Sequence, residues 1–171
     1  MRALIEGDFS EVRIEDSSFR ISGQRPVSCN AEMLCILNSL FSGDNKGVLI
    51  YNEMQDGSLI ESICGHAIIS KCMVSRVSYV FAINIDCRKK ALLCDNKLRE
   101  CISRSLLNIC GEAVEIRNNI VAKCVPVTIV DSECRRIEIY DNVVSECGFQ
   151  SGGVTNSERT HCLLLIRKCS S

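Results

Sequence analysis

The sequence predicts an all-β fold, a right-handed parallel β-helix of about seven short coils, and three observations carry that prediction. Three segments repeat without gaps. Their apolar residues alternate as on half-buried strands, and asparagine stands at the same point of each repeat. The whole chain, 1–171, reads as a single domain of this kind.

The repeated segments are ALLCDNKLREC (91–101), VEIRNNIVAKC (114–124) and IEIYDNVVSEC (137–147), and equivalent positions lie 23 residues apart. Leu93, Ile116 and Ile139 correspond, as do Asn96, Asn119 and Asn142, and as do Cys101, Cys124 and Cys147. Apolar residues two apart, as at Ile137 and Ile139, put one face of a strand inside. The Asp-Asn or Asn-Asn that follows is turn chemistry, because Asn tolerates left-handed backbone and bonds to its own neighbours. A second apolar pair, such as Val143 and Val144, restarts a strand past the corner. One such unit cannot bury its apolar side alone, whereas stacked coils share one core and one backbone ladder. Stacking predicts a column of asparagines and a column of thiols.

Looser copies extend the pattern toward the start. VRIEDSSF (12–19) places Ser17 at the asparagine position, MLCILNSLFSG (33–43) offers Asn38 for it, and SLIESICG (58–65) offers Ser62. Between Ser62 and Asn96 there is more than one coil, so a longer loop is expected there, along with strands such as 80–85. The stretch 97–110 has room for one helical turn. GFQSGGVTNSERT (148–160) reads as an exposed loop with a short strand at Val154. Residues 1–11 are candidates for an N-terminal cap, and no cap is evident in CLLLIRKCSS at the other end.

Composition narrows the function. A formal net charge of −1 gives no basic excess for nucleic acid or an anionic membrane. No apolar run is long enough to span a bilayer, and the first residues lack the apolar stretch of a signal peptide. Thirteen cysteines, an odd number spread evenly and without CxxC spacing, suit neither a disulfide framework nor a zinc site. Free cysteine is a small, often buried hydrophobe, so reduced core filler in the cytoplasm is the expectation. No cofactor or metal is expected.

The units VEIRNNIVAKC and IEIYDNVVSECGFQSGGVTNS resemble the parallel β-helix repeats of pectate-lyase-like proteins, most clearly over 91–157. The resemblance implies the fold but leaves function open, because that family holds polysaccharide lyases and hydrolases beside non-enzymatic intracellular members. Its pectin-degrading hydrolases carry paired aspartates, a Gly-His-Gly and an Arg-x-Lys. Here Gly65-His66-Ala67 lacks the second glycine, and no adjacent aspartates occur.

Two readings of function follow. A minimal carbohydrate-binding or carbohydrate-active domain needs carboxylates at a fixed separation, for which Asp131, Glu133, Glu138 and Asp141 are the candidates. Cys64 with His66, or Cys162 with His161, supplies the ingredients of thiol chemistry, and Cys64 and His66 are expected on one strand face. A protein-interaction or structural module needs only a rigid surface. Glu115, Arg117, Glu138 and Tyr140 are expected on its outward face, with Arg13 and Glu15 matching them near the start. In the apolar run 33–37, alternation with Asn38 in the asparagine position exposes Leu34 and Ile36 as a binding patch. The non-enzymatic module is the preferred reading. Its partner is expected to be another protein or a second copy, held through a solenoid face or the C-terminal end.

Overall fold

The computed structural model describes residues 4–22, 26–44, 55–148 and 164–168, and for 55, 56, 127 and 164–168 the backbone only. Long and short strands alternate along the chain. The long ones are β1 (Ile5–Glu15), β3 (Val27–Leu37), β5 (Gln55–Ser70), β7 (Ser78–Cys94), β9 (Ile102–Arg117) and β11 (Val125–Tyr140). The short ones are β2 (Ser18–Ile21), β4 (Leu40–Gly43), β6 (Met73–Ser75), β8 (Lys97–Arg99), β10 (Ile120–Ala122) and β12 (Val143–Ser145). A final strand, β13 (Leu164–Lys168), pairs with β11 over Val130–Cys134. Every pairing is parallel. The long strands form one sheet in the order β1-β3-β5-β7-β9-β11-β13, the short ones another in the order β2-β4-β6-β8-β10-β12. The fold is a parallel β-solenoid, with six described coils that have both strands, slightly fewer than the seven expected.

Each long strand serves two faces. Burial follows one parity through Val27, Cys29 and Ala31, then switches to Leu34 and Ile36. The same switch separates Leu107 and Ile109 from Val114 and Ile116. Period-two alternation cannot change parity on a straight strand, so the chain turns a corner within β3 and β9. With the short strand, each coil is three-sided.

Stacking sets the core in columns. Val12, Leu34, Ala67, Ala91 and Val114 lie one above another, beside Ile14, Ile36, Ile69, Leu93 and Ile116. The second residue of each short strand turns inward, in the series Phe19, Phe41, Val74, Leu98, Val121 and Val144, and β2 adds Ile21. The Phe19 and Phe41 rings stack at 4.9 Å, the spacing of neighbouring strands. Nine of the eleven described cysteines are buried and none of the eleven is bridged.

The first corner in all six coils, and the second in the last four, are held in left-handed backbone by residues other than glycine. The first corner has Asp16, Asn38, Lys71, Asp95, Asn118 and Asp141, and the second has Arg76, Glu100, Lys123 and Glu146, all at φ of 47–59°. That conformation costs roughly 1–2 kcal/mol per residue. The neighbouring coil supplies the compensation, since the N–H of Asp95 donates to Arg117 O (3.2 Å) and that of Glu100 to Ala122 O (3.1 Å).

Several expectations are corrected here. The column containing Asn96, Asn119 and Asn142 continues through Cys72 and Ser39 to Ser17, so Asn38 and Ser62 are not its members. Asn38 is the left-handed residue just before Ser39. The extra residues lie between β4 and β5, not between Ser62 and Asn96, where β5 and β7 run in a register of 23 to 24 residues. The stretch 97–110 holds no helical turn, only β8 and the start of β9. Residues 5–11 form the first part of β1, the end strand of the long-strand sheet. The loop segment 149–160 with Val154 lies outside the described residues. Among the described residues no helix is long and apolar enough to cross a membrane.

Candidate functional site

Four of the six candidate binding residues come together on the outward side of β9 and β11, past the internal corner. Glu115 pairs with Glu138 and Arg117 with Tyr140 in the strand register. Glu115 is the hub: one carboxylate oxygen accepts from Arg117 Nε (2.9 Å) and the Tyr140 hydroxyl (2.8 Å), the other meets Lys90 Nζ at 3.0 Å. Arg136 donates to Glu138 from Nε at 3.1 Å. The side chain of Glu115 is only 17% exposed. Lys90, Tyr140 and Arg117 together hold its carboxyl at about 2, well below the ordinary range. The same contact pushes the Tyr140 phenol up.

A depressed carboxyl ties stability to pH in a defined direction. Glu115 contributes stability that is fully present above the unfolded value of 4.5 and is lost as pH falls toward 2. Urea midpoints should therefore show a gap between the parent and Glu115→Gln at neutral pH that closes between about 4.5 and 2. A gap of constant size across that range would show that the network does not bind the charge of Glu115.

Leu34 and Ile36 do not belong to this surface. Both are fully buried in the core, and Met33, Cys35 and Leu37 take the outward positions. The sequence alignment with Asn38 in the asparagine position is off by one residue, and a slip of one exchanges the two faces of a strand. Aligned through Ser39, Leu34 and Ile36 fall in register with Val12 and Ile14 and read as core. Outward of this face, the register places Cys35, Ile68 and Leu92 between Arg13 at one end and Glu115 at the other. That column is apolar in its middle coils, with ion pairs at both ends, rather than evenly charged. Arg13 and Glu15 form one such end pair at 2.6 Å.

The chemistry sought for an enzyme is dispersed. Asp131 and Glu133 lie before the corner within β11, Glu138 after it, and Asp141 on the next corner of the coil. Cys64 is buried and His66 exposed, because Gly65 stands at the corner between them; the expectation that they share a face fails. Cys64 instead stacks on Cys87, and that contact together with burial raises its thiol far above the ordinary value. Among the described residues no group of three His, Cys, Asp or Glu side chains is placed to hold a metal ion. His161 and Cys162 lie outside the described residues.

A feature missed in the sequence lies on the short-strand face. The first residue of each short strand points outward, giving the column Ser18, Leu40, Met73, Lys97, Ile120 and Val143. Eight large apolar side chains are exposed among the described residues, and four belong to this column: Leu40 (36%), Met73 (43%), Ile120 (39%) and Val143 (54%). The signal is present at the 23-residue spacing of Ile120 and Val143, but an apolar pair such as Val143 and Val144 does not by itself tell which of the two faces out. Comparison of the chain with models of known protein families, with curated protein sequences and with solved structures finds no match in any of the three.

Proposed function

We propose that this chain is a non-enzymatic protein-interaction or structural module that presents rigid solenoid faces to a protein partner. The observation that carries the reading is Tyr140, 42% exposed beside the Glu115–Arg117 and Arg136–Glu138 ion pairs. The sheet edge there is open among the described residues, since β13 pairs no further than Cys134. Tyr and Arg are the residues that carry most energy in protein interfaces, and ion pairs suit the rim of one. The unbridged cysteines support a reducing compartment, the cytoplasm. Within the pectate-lyase-like resemblance, the dispersed carboxylates favour its non-enzymatic intracellular branch.

The test is a capture experiment from a lysate of the source organism with three baits: the parent, a Tyr140→Ala/Arg117→Glu variant, and a Ser42→Lys variant on the short-strand face. A protein held by the parent and the third bait but lost from the second supports the reading. Polysaccharide cleavage by the purified chain, abolished by Asp141→Ala, overturns it.

A further inference from the structure

We propose that the short-strand face pairs with a second copy of the chain, two-fold and antiparallel, in one register chosen by charge. This rests on reading the chain as an interaction module and names one partner and one face for it.

The face has a bulky column and a small one. Beside Leu40, Met73, Ile120 and Val143 runs the outward column of third residues, with Ser42, Ser75, Ala122 and Ser145 in the corresponding coils; the β8 coil between them carries Lys97 and Arg99 instead, the latter turned to Glu100 at 3.1 Å. An exposed apolar ridge next to such a shallow strip is the shape of a surface that docks against something flat. What docks is indicated by the corner beside it. Arg76, Glu100, Lys123 and Glu146 alternate in sign from coil to coil, and each takes the same left-handed backbone position. Within the chain Arg76 already pairs with Glu100 (3.1 Å) and Lys123 with Glu146 (3.6 Å), so a second copy extends these pairs into a two-sided network rather than meeting bare charges.

A series of four alternating charges is complementary to its own reversal. A two-fold axis along the strand direction, passing between β8 and β10, brings each column against itself in reverse. Arg76 then faces Glu146 of the second copy, and Glu100 faces its Lys123. The other corner adds one opposite-charge pair, Lys71 opposite Asp141, and sets Asp95 opposite the neutral Asn118. On the face itself Met73 meets Val143, and the Lys97 stem lies on Ile120 with its ammonium free to reach water. Moving the axis to β8 sets Lys97, Arg99, Glu100 and Asp95 each against its own copy. Like-charge contacts in that neighbouring register select against it, and an isologous pairing of this kind closes at two copies.

The size of the face sets the strength. Three residues at about 3.3 Å each plus the corners give a width of roughly 16 Å, and four overlapping coils at about 4.8 Å give roughly 19 Å. Both copies together lose on the order of 600 Å² of surface, at the small end even for weak, reversible complexes. Dimerisation is expected in the range of about 100 μM, strengthened at low salt because the pairs lie at a solvent-exposed rim.

The test uses charge exchange between copies. Glu100→Lys alone and Lys123→Glu alone each set like charges together twice per dimer. An equimolar mixture of the two variants restores both pairs. Either variant should fold, because Arg76 and Lys123 already place basic groups at this corner position, and Glu100 and Glu146 acidic ones; circular dichroism checks this. Sedimentation equilibrium from 10 μM to 1 mM should show the parent dimerising, each single variant at least tenfold weaker, and the mixture within about threefold of the parent. A parent monomeric at 1 mM, or a mixture no better than its components, overturns the pairing. A parent that stays monomeric yet captures a partner through Tyr140 and Arg117 overturns the pairing alone and leaves the interaction reading intact.

Discussion

Replacing Asn119 by leucine should destabilise the protein by about 2–3 kcal/mol, far more than leucine at an exposed position of the preceding strand such as Arg104. Asn119 is 2% exposed and uses both ends of its amide. Its Oδ1 accepts from the backbone N–H and the Nδ2 of Asn96, each at 3.0 Å. Its own Nδ2 donates to Leu93 O (3.0 Å) and to Asn142 Oδ1 (2.9 Å). Leucine is similar in volume but answers none of these groups, so a buried N–H of Asn96 and a buried carbonyl of Leu93 lose their partners together. The column itself supplies an intermediate case. Ser39 stands at the same position two coils before Asn96, accepts the N–H of Ser17 at 3.2 Å and donates to Leu37 O at 2.8 Å. Asn119→Ser should therefore keep one link to the coil before and lose roughly half as much. Urea denaturation at unchanged slope measures all three. An Asn119→Leu variant as stable as the parent would show that the ladder does not hold the corner. Glu115 is unsuited as the outward control, although the sequence places it outward, because Lys90, Arg117 and Tyr140 converge on it.

What the sequence reveals and what it conceals follow from how each feature is encoded. Asn96, Asn119 and Asn142 are legible because one residue type recurs at one spacing, and their bonds need that side chain. Ser17, Ser39 and Cys72 fill the same column with other side chains, since a hydroxyl or a thiol also reaches a neighbouring carbonyl, as Cys72 Sγ does to Ile36 O at 3.4 Å. Pattern matching by residue type fails there, and the one-residue slip at Asn38 follows. That slip alone turned Leu34 and Ile36 outward. The second corner was hidden for a different reason. Arg76, Glu100 and Lys123 carry no turn signal of their own, because their left-handed backbone is imposed by bonds to the next coil rather than by residue preference. The inward cysteines that accompany this corner, the buried Cys101 and Cys124 and the half-buried Cys147, mark it better than any turn residue does. The internal corner of the long strands is hidden again. It shows only as a change of parity in the apolar pattern, and an extra residue between Cys87 and Lys90 masks that change in β7.

That internal corner gives the last prediction, in which a single methyl group should cost more than most core truncations of similar size. Gly111 stacks on Cys87 at the corner of β9, and a Cβ there would stand 2.4 Å from Cys87 O, well inside contact distance. The obstacle is a backbone carbonyl in the neighbouring coil, which cannot swing aside as a side chain can. Alanine must therefore push β7 and β9 apart locally or twist the corner, and β9 is hydrogen-bonded to β11 on its other side. Overpacking of this kind costs about 1–3 kcal/mol, and a rigid neighbour on both sides places Gly111→Ala at the upper end. Gly65 repeats the situation two coils earlier, with Glu32 O at 2.7 Å from its Cβ position. Gly148→Ala is the matched control, because its Cβ would meet only Val125 Cγ2 at 3.9 Å, an ordinary contact. It should stay within about 0.5 kcal/mol of the parent. Thermal and urea unfolding of the pair separate the steric demand of the corner from the general loss of glycine's freedom, which acts through the unfolded chain and would favour both alanines. Equal stability of Gly111→Ala and Gly148→Ala would mean that the coils are not stacked as closely at this corner as the register of β7 on β9 requires.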